Sequence, residues 1–207
     1  MSVFVVRLQG ATERRACVMS AFRLFSAYAA FGVAVVSLCV GTSATASVVI
    51  HVDGSSGQHA WSGLCATWDG ATCGPKETIQ AGLDAAQPGD TVLVADGLYQ
   101  GAGIVNLDCG GKAVALRSVN GAAHCVIDCE GASRGFYFHS GERPESVVEG
   151  FSVRNGFSMA SGGGIYASRS PARIEDCVTE DNSSSLKKSL CGFFRSARAI
   201  RGLRVGG

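Results

Sequence analysis

Gly135-Phe136-Tyr137-Phe138, followed by Glu149-Gly150-Phe151-Ser152-Val153-Arg154-Asn155, is a passage that returns once in a second copy. The copy reads Gly164-Ile165-Tyr166-Ala167, then Glu175-Asp176-Cys177-Val178-Thr179-Glu180-Asp181-Asn182. Laid over one another at a period of about 26 residues, they put Phe151 opposite Cys177 and Val153 opposite Thr179. The overlay equates residues 149–155 with 175–182, so that Asn155 and Asn182 each end a strand. Self-similarity at this period belongs to solenoids, where each repeat buries its apolar face only against the next. The segments are too short for helices and carry no helical period. An all-β parallel β-helix of about three to four coils is therefore expected.

Working outward, the same unit continues upstream. Ala113-Val114-Ala115-Leu116-Arg117 is followed by Asn120-Gly121, and Cys125-Val126-Ile127-Asp128-Cys129 by Glu130-Gly131. Glycine or asparagine closes these strands because the corners of a coil need left-handed backbone angles. Residues 77–99 read as a helix at 77–86, a Pro88-Gly89-Asp90 turn, and the apolar strand Val92-Leu93-Val94-Ala95. Pro75 and Glu77 suit a helix start, and Ile79, Leu83 and Ala86 form one buried face. A helix followed by a buried strand also opens nucleotide-binding units, but no Gly-x-Gly-x-x-Gly follows this strand. It is a cap and a first rung.

The near-neutral charge of the chain hides an acidic body. Residues 47–185 hold 8 of the 18 basic and 16 of the 17 acidic residues, a balance of −8. Such a body repels phosphates, which argues against a nucleic-acid partner. The basic residues collect at the two ends. Residues 1–46 contain Arg7, Arg14, Arg15 and Arg23, an apolar run at 24–40, and Ala44-Thr45-Ala46. That is the layout of a secretory signal cleaved near Ala46/Ser47, with Met19 as an alternative start. A membrane anchor is the competing reading of the apolar run. Export to the cell surface or beyond is expected.

In an oxidising compartment an even subset of the seven cysteines outside that leader can pair: Cys65, Cys73, Cys109, Cys125, Cys129, Cys177 and Cys191. Cys65 and Cys73 flank a short loop and form the expected local bridge. Cys125 and Cys129 point into the core or pair with Cys109 or Cys177 on a neighbouring strand. No Cys-x-x-Cys is present and His51, His59, His124 and His139 are scattered, so no metal centre is expected. Trp61 and Trp68, in the polar region of 47–75 that follows a first β-branched strand, offer a sugar-stacking platform. Alternatively they pack down over the end of the domain, which is the reading taken.

The 78–99 segment, Gly162-Gly163-Gly164-Ile165-Tyr166, and the strands ending in Asn155 and Asn182 resemble right-handed parallel β-helix proteins of the pectin-lyase-like superfamily. They also partly resemble the Gly-Gly-Ala-Ile and Phe-x-x-Asn repeats of polymorphic outer-membrane proteins. The resemblance covers about 75–183 and implies a β-helix over 76–185 whose helix at 77–86 caps the N-terminal mouth. It also implies a fork in function. One branch is a non-catalytic binding or scaffolding module for a polysaccharide or cell-surface glycan, as part of a longer array. The other is the N-terminal fragment of a lyase or hydrolase acting on acidic polysaccharide. On that second branch Lys112, Arg117, Arg134 and Arg154 are the candidate bases or carboxylate partners. Asp108, Asp128, Glu149 and Asp176 are then the candidate calcium ligands. Each of these residues has a plain structural reading as well, so no catalytic, cofactor or metal residue is assigned and the first branch is preferred. Residues 186–207, with Lys187, Lys188, Arg195, Arg198, Arg201 and Arg204, break the repeat pattern. They read as a basic tail outside the fold, or as a membrane-surface contact.

Overall fold

The computed structural model describes residues 46–185 and 199–205. The expected leader up to Thr45, Cys191 and the 186–198 part of the basic segment lie outside the described residues. Among those described, every strand pairs in parallel and there is one helix, α1 (Ile79–Ala85). The largest sheet runs β1 (Val49–Val52), β2 (Thr91–Val94), β4 (Ala115–Ser118), β7 (Val147–Glu149), β11 (Arg173–Glu175), β14 (Ala199–Arg201). The second runs β3 (Gly97–Tyr99), β5 (Cys125–Asp128), β8 (Ser152–Arg154), β12 (Val178–Glu180), β15 (Arg204–Val205). A third pairs β6 (Phe136–Phe138) with β10 (Ile165–Ala167), and a fourth pairs β9 (Phe157–Ser158) with β13 (Ser183–Ser184). From β2 onward successive strands thus join different sheets, and each stacks on its equivalent one coil away. This is a parallel β-solenoid of about four turns.

The coil length follows from the register. Val126 faces Ser152, Ser152 faces Val178, and Val178 faces Arg204, each a step of 26 residues. Coil length is not constant, because Ala115 faces Val147, a step of 32. The excess sits between β4 and β5, where Ala115 to Val126 is a step of 11 residues and the equivalent Val147 to Ser152 a step of 5. Where the basic segment is described it departs from expectation, since β14 and β15 extend the two larger sheets by a further rung.

Most strands send alternate residues inward, as the pleat requires. In the largest sheet Ile50, Val92, Leu116, Val148 and Ile174 make one continuous buried column. The second sheet contributes Tyr99, Ile127, Val153 and Thr179. Phe136 and Phe138 fill the third side, with Phe136 edge-on to Phe151 at 6.0 Å between centroids. Helix α1 closes the first coil by packing Ile79 and Leu83 into this core, and Gly82 lets it approach β1 and β2 closely. The helix starts later than the sequence suggests. Thr78 is its N-cap, accepting from the Ala81 amide, while Lys76 is drawn into a bridge with Val52. Pro75 and Glu77 therefore belong to the lead-in.

The equivalence of Asn155 and Asn182 needs correction. Arg154 faces Glu180 and Phe157 faces Ser183, so Asn155 stands beside Asp181 and Asn182 beside Gly156. Asn155 and Asp181 occupy the left-handed corner, with φ of 54° and 50°. Asn182 instead turns into the coil, where its Oδ1 accepts from the Gly156 amide (2.7 Å) and its Nδ2 donates to the Val153 carbonyl (2.9 Å). Gly156, Gly163 and Gly164 surround it, and a Cβ on Gly156 or Gly164 would collide with its amide. The glycine run is thus a cradle for a buried polar side chain.

Candidate functional site

Strands β6 and β10 are three residues each, with their first and last side chains in the core. Their middle residues, Tyr137 and Tyr166, must then face outward on the same side, one rung apart. The two rings lie 5.4 Å apart, centre to centre, at a tilt of 45°. Arg134 reaches across both: its guanidinium carbon is 4.9 Å from the Tyr137 centroid and 5.0 Å from that of Tyr166. Its Nε is anchored on the Ser161 carbonyl at 3.2 Å. His139 adds a third ring, stacked on Tyr137 at 4.1 Å and within 3.7 Å of the Asp108 carboxylate through Nδ1. The result is a row of three rings on one face, pinned by an arginine and edged by Asp108 and Ser140.

This face can hold a flat ligand with alternating apolar and hydroxylated surfaces. Half-buried rings fixed on paired strands present area at little entropic cost, while Arg134, His139 and Asp108 offer donors and acceptors. Sequence reasoning singled out Arg134 and Asp108 and missed Tyr137 and Tyr166. The signal was present as Phe-Tyr-Phe and Ile-Tyr-Ala, whose alternation puts each tyrosine outside. Missing was the register that stacks one on the other.

The other candidates are dispersed, and each has a structural partner. Lys112 donates from Nζ to the Leu83 carbonyl and, at 3.0 Å, to that of Ala86, so it caps the C-terminal end of α1. Arg117 pairs with Glu149 across the sheet at 2.9 Å. Arg154 Nε donates to Asp128 at 2.9 Å, and Asn155 Nδ2 and the Glu130 amide donate to the same carboxylate. Partial burial pushes the Asp128 pKa up, but these donors outweigh it and hold it below the usual carboxylate value. Asp176 sits in an exposed left-handed corner, φ 48°, beside Gly202. Asp108, Asp128, Glu149 and Asp176 therefore stand at separate places on the coil and do not converge on a calcium ion. Register does bring Glu149 beside Glu175, and each has its own arginine, Arg117 and Arg173.

In the lead-in, Cys65 and Cys73 are joined as expected. Among the described residues they and Asp69 form the one cluster of three His, Cys, Asp or Glu side chains whose ligand atoms lie within 4.8 Å of one another. Their sulfurs are spent in the disulfide, and the Asp69 carboxylate accepts from the Ala71 and Cys73 amides. Trp61 packs on Gly74, but Trp68 lies parallel to it at 6.0 Å and is 59% exposed. Packing down accounts for the first tryptophan only. Cys109, Cys125, Cys129 and Cys177 are buried free thiols, which settles their open pairing.

No family model, no curated protein and no solved structure matches this chain. The solenoid and its outward faces are what any functional reading must rest on.

Proposed function

We propose that the chain is an exported, non-catalytic β-solenoid module of the right-handed, pectin-lyase-like kind, and that it binds a polysaccharide along the outer face of β6 and β10. The observation that carries this is the in-register pair Tyr137 and Tyr166 under the Arg134 guanidinium. Sugar rings stack their C–H faces on aromatic rings, and a row one rung long per ring accommodates consecutive residues of a glycan chain. The acidic body favours a neutral glycan, because a uronate chain would be repelled within a Debye length of about 8–10 Å.

Titration calorimetry of the full chain with glucan and xylan oligosaccharides, and with oligogalacturonate, tests this reading. A neutral oligosaccharide should bind, and Tyr137→Ala or Tyr166→Ala should each weaken it about tenfold, roughly 1.4 kcal/mol. Unaltered binding in both variants would overturn it. Glu149 beside Glu175 is the observation that favours the enzyme alternative, since carboxyls on adjacent strands lie near the separation of about 5 Å that retaining glycosidases use. Their arginine partners favour a structural role. Incubation with pectate, alginate and chondroitin, with and without calcium, reads unsaturated or reducing ends. Turnover lost in Glu149→Gln would replace the binding module with an enzyme.

A further inference from the structure

The corner between the third sheet and the largest one carries a second, buried feature. Asp108 follows Leu107, which bridges to Phe136; Glu142 lies in the turn after β6, and Ser170 in the turn after β10. Three successive coils thus bring an acid, an acid and a hydroxyl to the same corner, against an apolar interior that includes Cys109, Val114 and Ala172. Glu142 and Ser170 are both 0% exposed. Glu142 Oε1 accepts from the Ser140 amide at 3.3 Å; Oε2 and Ser170 Oγ make no well-formed hydrogen bond, although Asp108 and Ser170 lie close enough to the Glu142 carboxyl to act on its proton. Asp108 accepts from the Gly110 amide (3.0 Å) and Ser140 Oγ (3.0 Å), which leaves lone pairs on both oxygens. Among the described residues no basic side chain pairs with Glu142. Lys112, from the neighbouring corner, gives its ammonium to the carbonyls of α1.

A buried carboxylate with no counter-charge costs several kcal/mol, so something must neutralise it. We propose that Glu142, Asp108 and Ser170 form a buried site for a hard divalent cation, which clamps three consecutive coils at this corner. All the donors are oxygens, two of them from carboxylates, which selects calcium, magnesium or manganese over thiolate-seeking metals. Burial first, then the adjacent Asp108 carboxylate, raises the Glu142 pKa. Proton and cation compete for the same oxygens, so cation affinity rises with pH. The site adjoins the tyrosine face through Asp108, which lies beside His139, while Glu142 and Ser170 take no part in that face.

Thermal unfolding of the chelator-stripped full chain, with calcium, magnesium or manganese chloride at pH 7.5 and pH 5, tests the proposal. At least one ion should raise the midpoint by about 5 °C or more at hundredfold excess over Kd, at pH 7.5, with a smaller rise at pH 5. Glu142→Gln should abolish the rise while unfolding no earlier than the metal-free wild type, because the amide needs no counter-charge. No rise, or an equal rise in Glu142→Gln, would overturn the site. So would a wild type that loses stability as pH rises and is not rescued by any ion, since a proton alone would then be the occupant. If Glu142→Gln fails to fold, Asp108→Asn and Ser170→Ala take its place: a weakened ion response supports the site, and an unchanged one overturns it.

Discussion

Asn182 shows how one polar side chain sets its neighbours. Its two hydrogen bonds satisfy the Gly156 amide and the Val153 carbonyl inside the coil, and the glycines around it are small because it is there. Asn182→Ala should destabilise the fold by about 2–4 kcal/mol in urea unfolding, since it leaves two buried backbone groups unpaired. Asn155→Ala removes a donor to Asp128 and places alanine at φ 54°, so it should cost less, about 1–2 kcal/mol. Equal costs would restore the equivalence of the two asparagines suggested by the repeat. Lys112 makes the same point for charge. A lysine that reads as a candidate base is the cap of a helix end, and Lys112→Met should lower stability by about 1 kcal/mol through the freed carbonyls of α1.

At the scale of elements, the cap and the lead-in differ in what holds them. Helix α1 is too short to be stable alone and depends on Ile79 and Leu83 in the core, Thr78 at its start and Lys112 at its end. The segment after β1 has little core and is tied by Cys65–Cys73, eight residues apart. Reduction should loosen it with a loss of about 2–3 kcal/mol by the loop-entropy account. The local character of this change is testable. Trp68 fluorescence should shift on reduction, while the far-ultraviolet dichroism of the solenoid stays unchanged. A cooperative loss of both signals would show that the lead-in and the coils unfold as one.

At the scale of the molecule, the four buried thiols among the described residues make an alkaline limit. Burial pushes Cys109, Cys125 and Cys129 up from 9.0 to about 12, and Cys177 to about 11. A raised folded pKa means that stability is fully present below the thiol's ordinary value and is lost as pH rises towards the folded one. Denaturant midpoints should therefore hold up to about pH 9 and fall steadily between about 9 and 12, at up to 1.4 kcal/mol per thiol per pH unit. Replacing the four by serine or alanine would lower stability at neutral pH but flatten that slope. A wild-type profile flat through pH 11 would show that the thiols are not held in the core.

The solenoid, its capping helix, the Cys65–Cys73 bridge and the inward placement of Phe136, Phe138 and Val153 were all legible in the chain, because alternation and local propensity act over a few residues. The corners were less so: Glu130, Asp176 and Asp181 take left-handed angles that composition assigns to glycine or asparagine. The sites were hardest to read. Tyr137 over Tyr166, Glu142 near Asp108, and the distinction between Asn155 and Asn182 all depend on which residue of one coil lies against which residue of the next. That register is set by the length of each corner, 26 residues per coil in one place and 32 in another. The chain alone determined that it would coil; only the folded coils, by fixing corner lengths through packing of the core, decided which side chains meet.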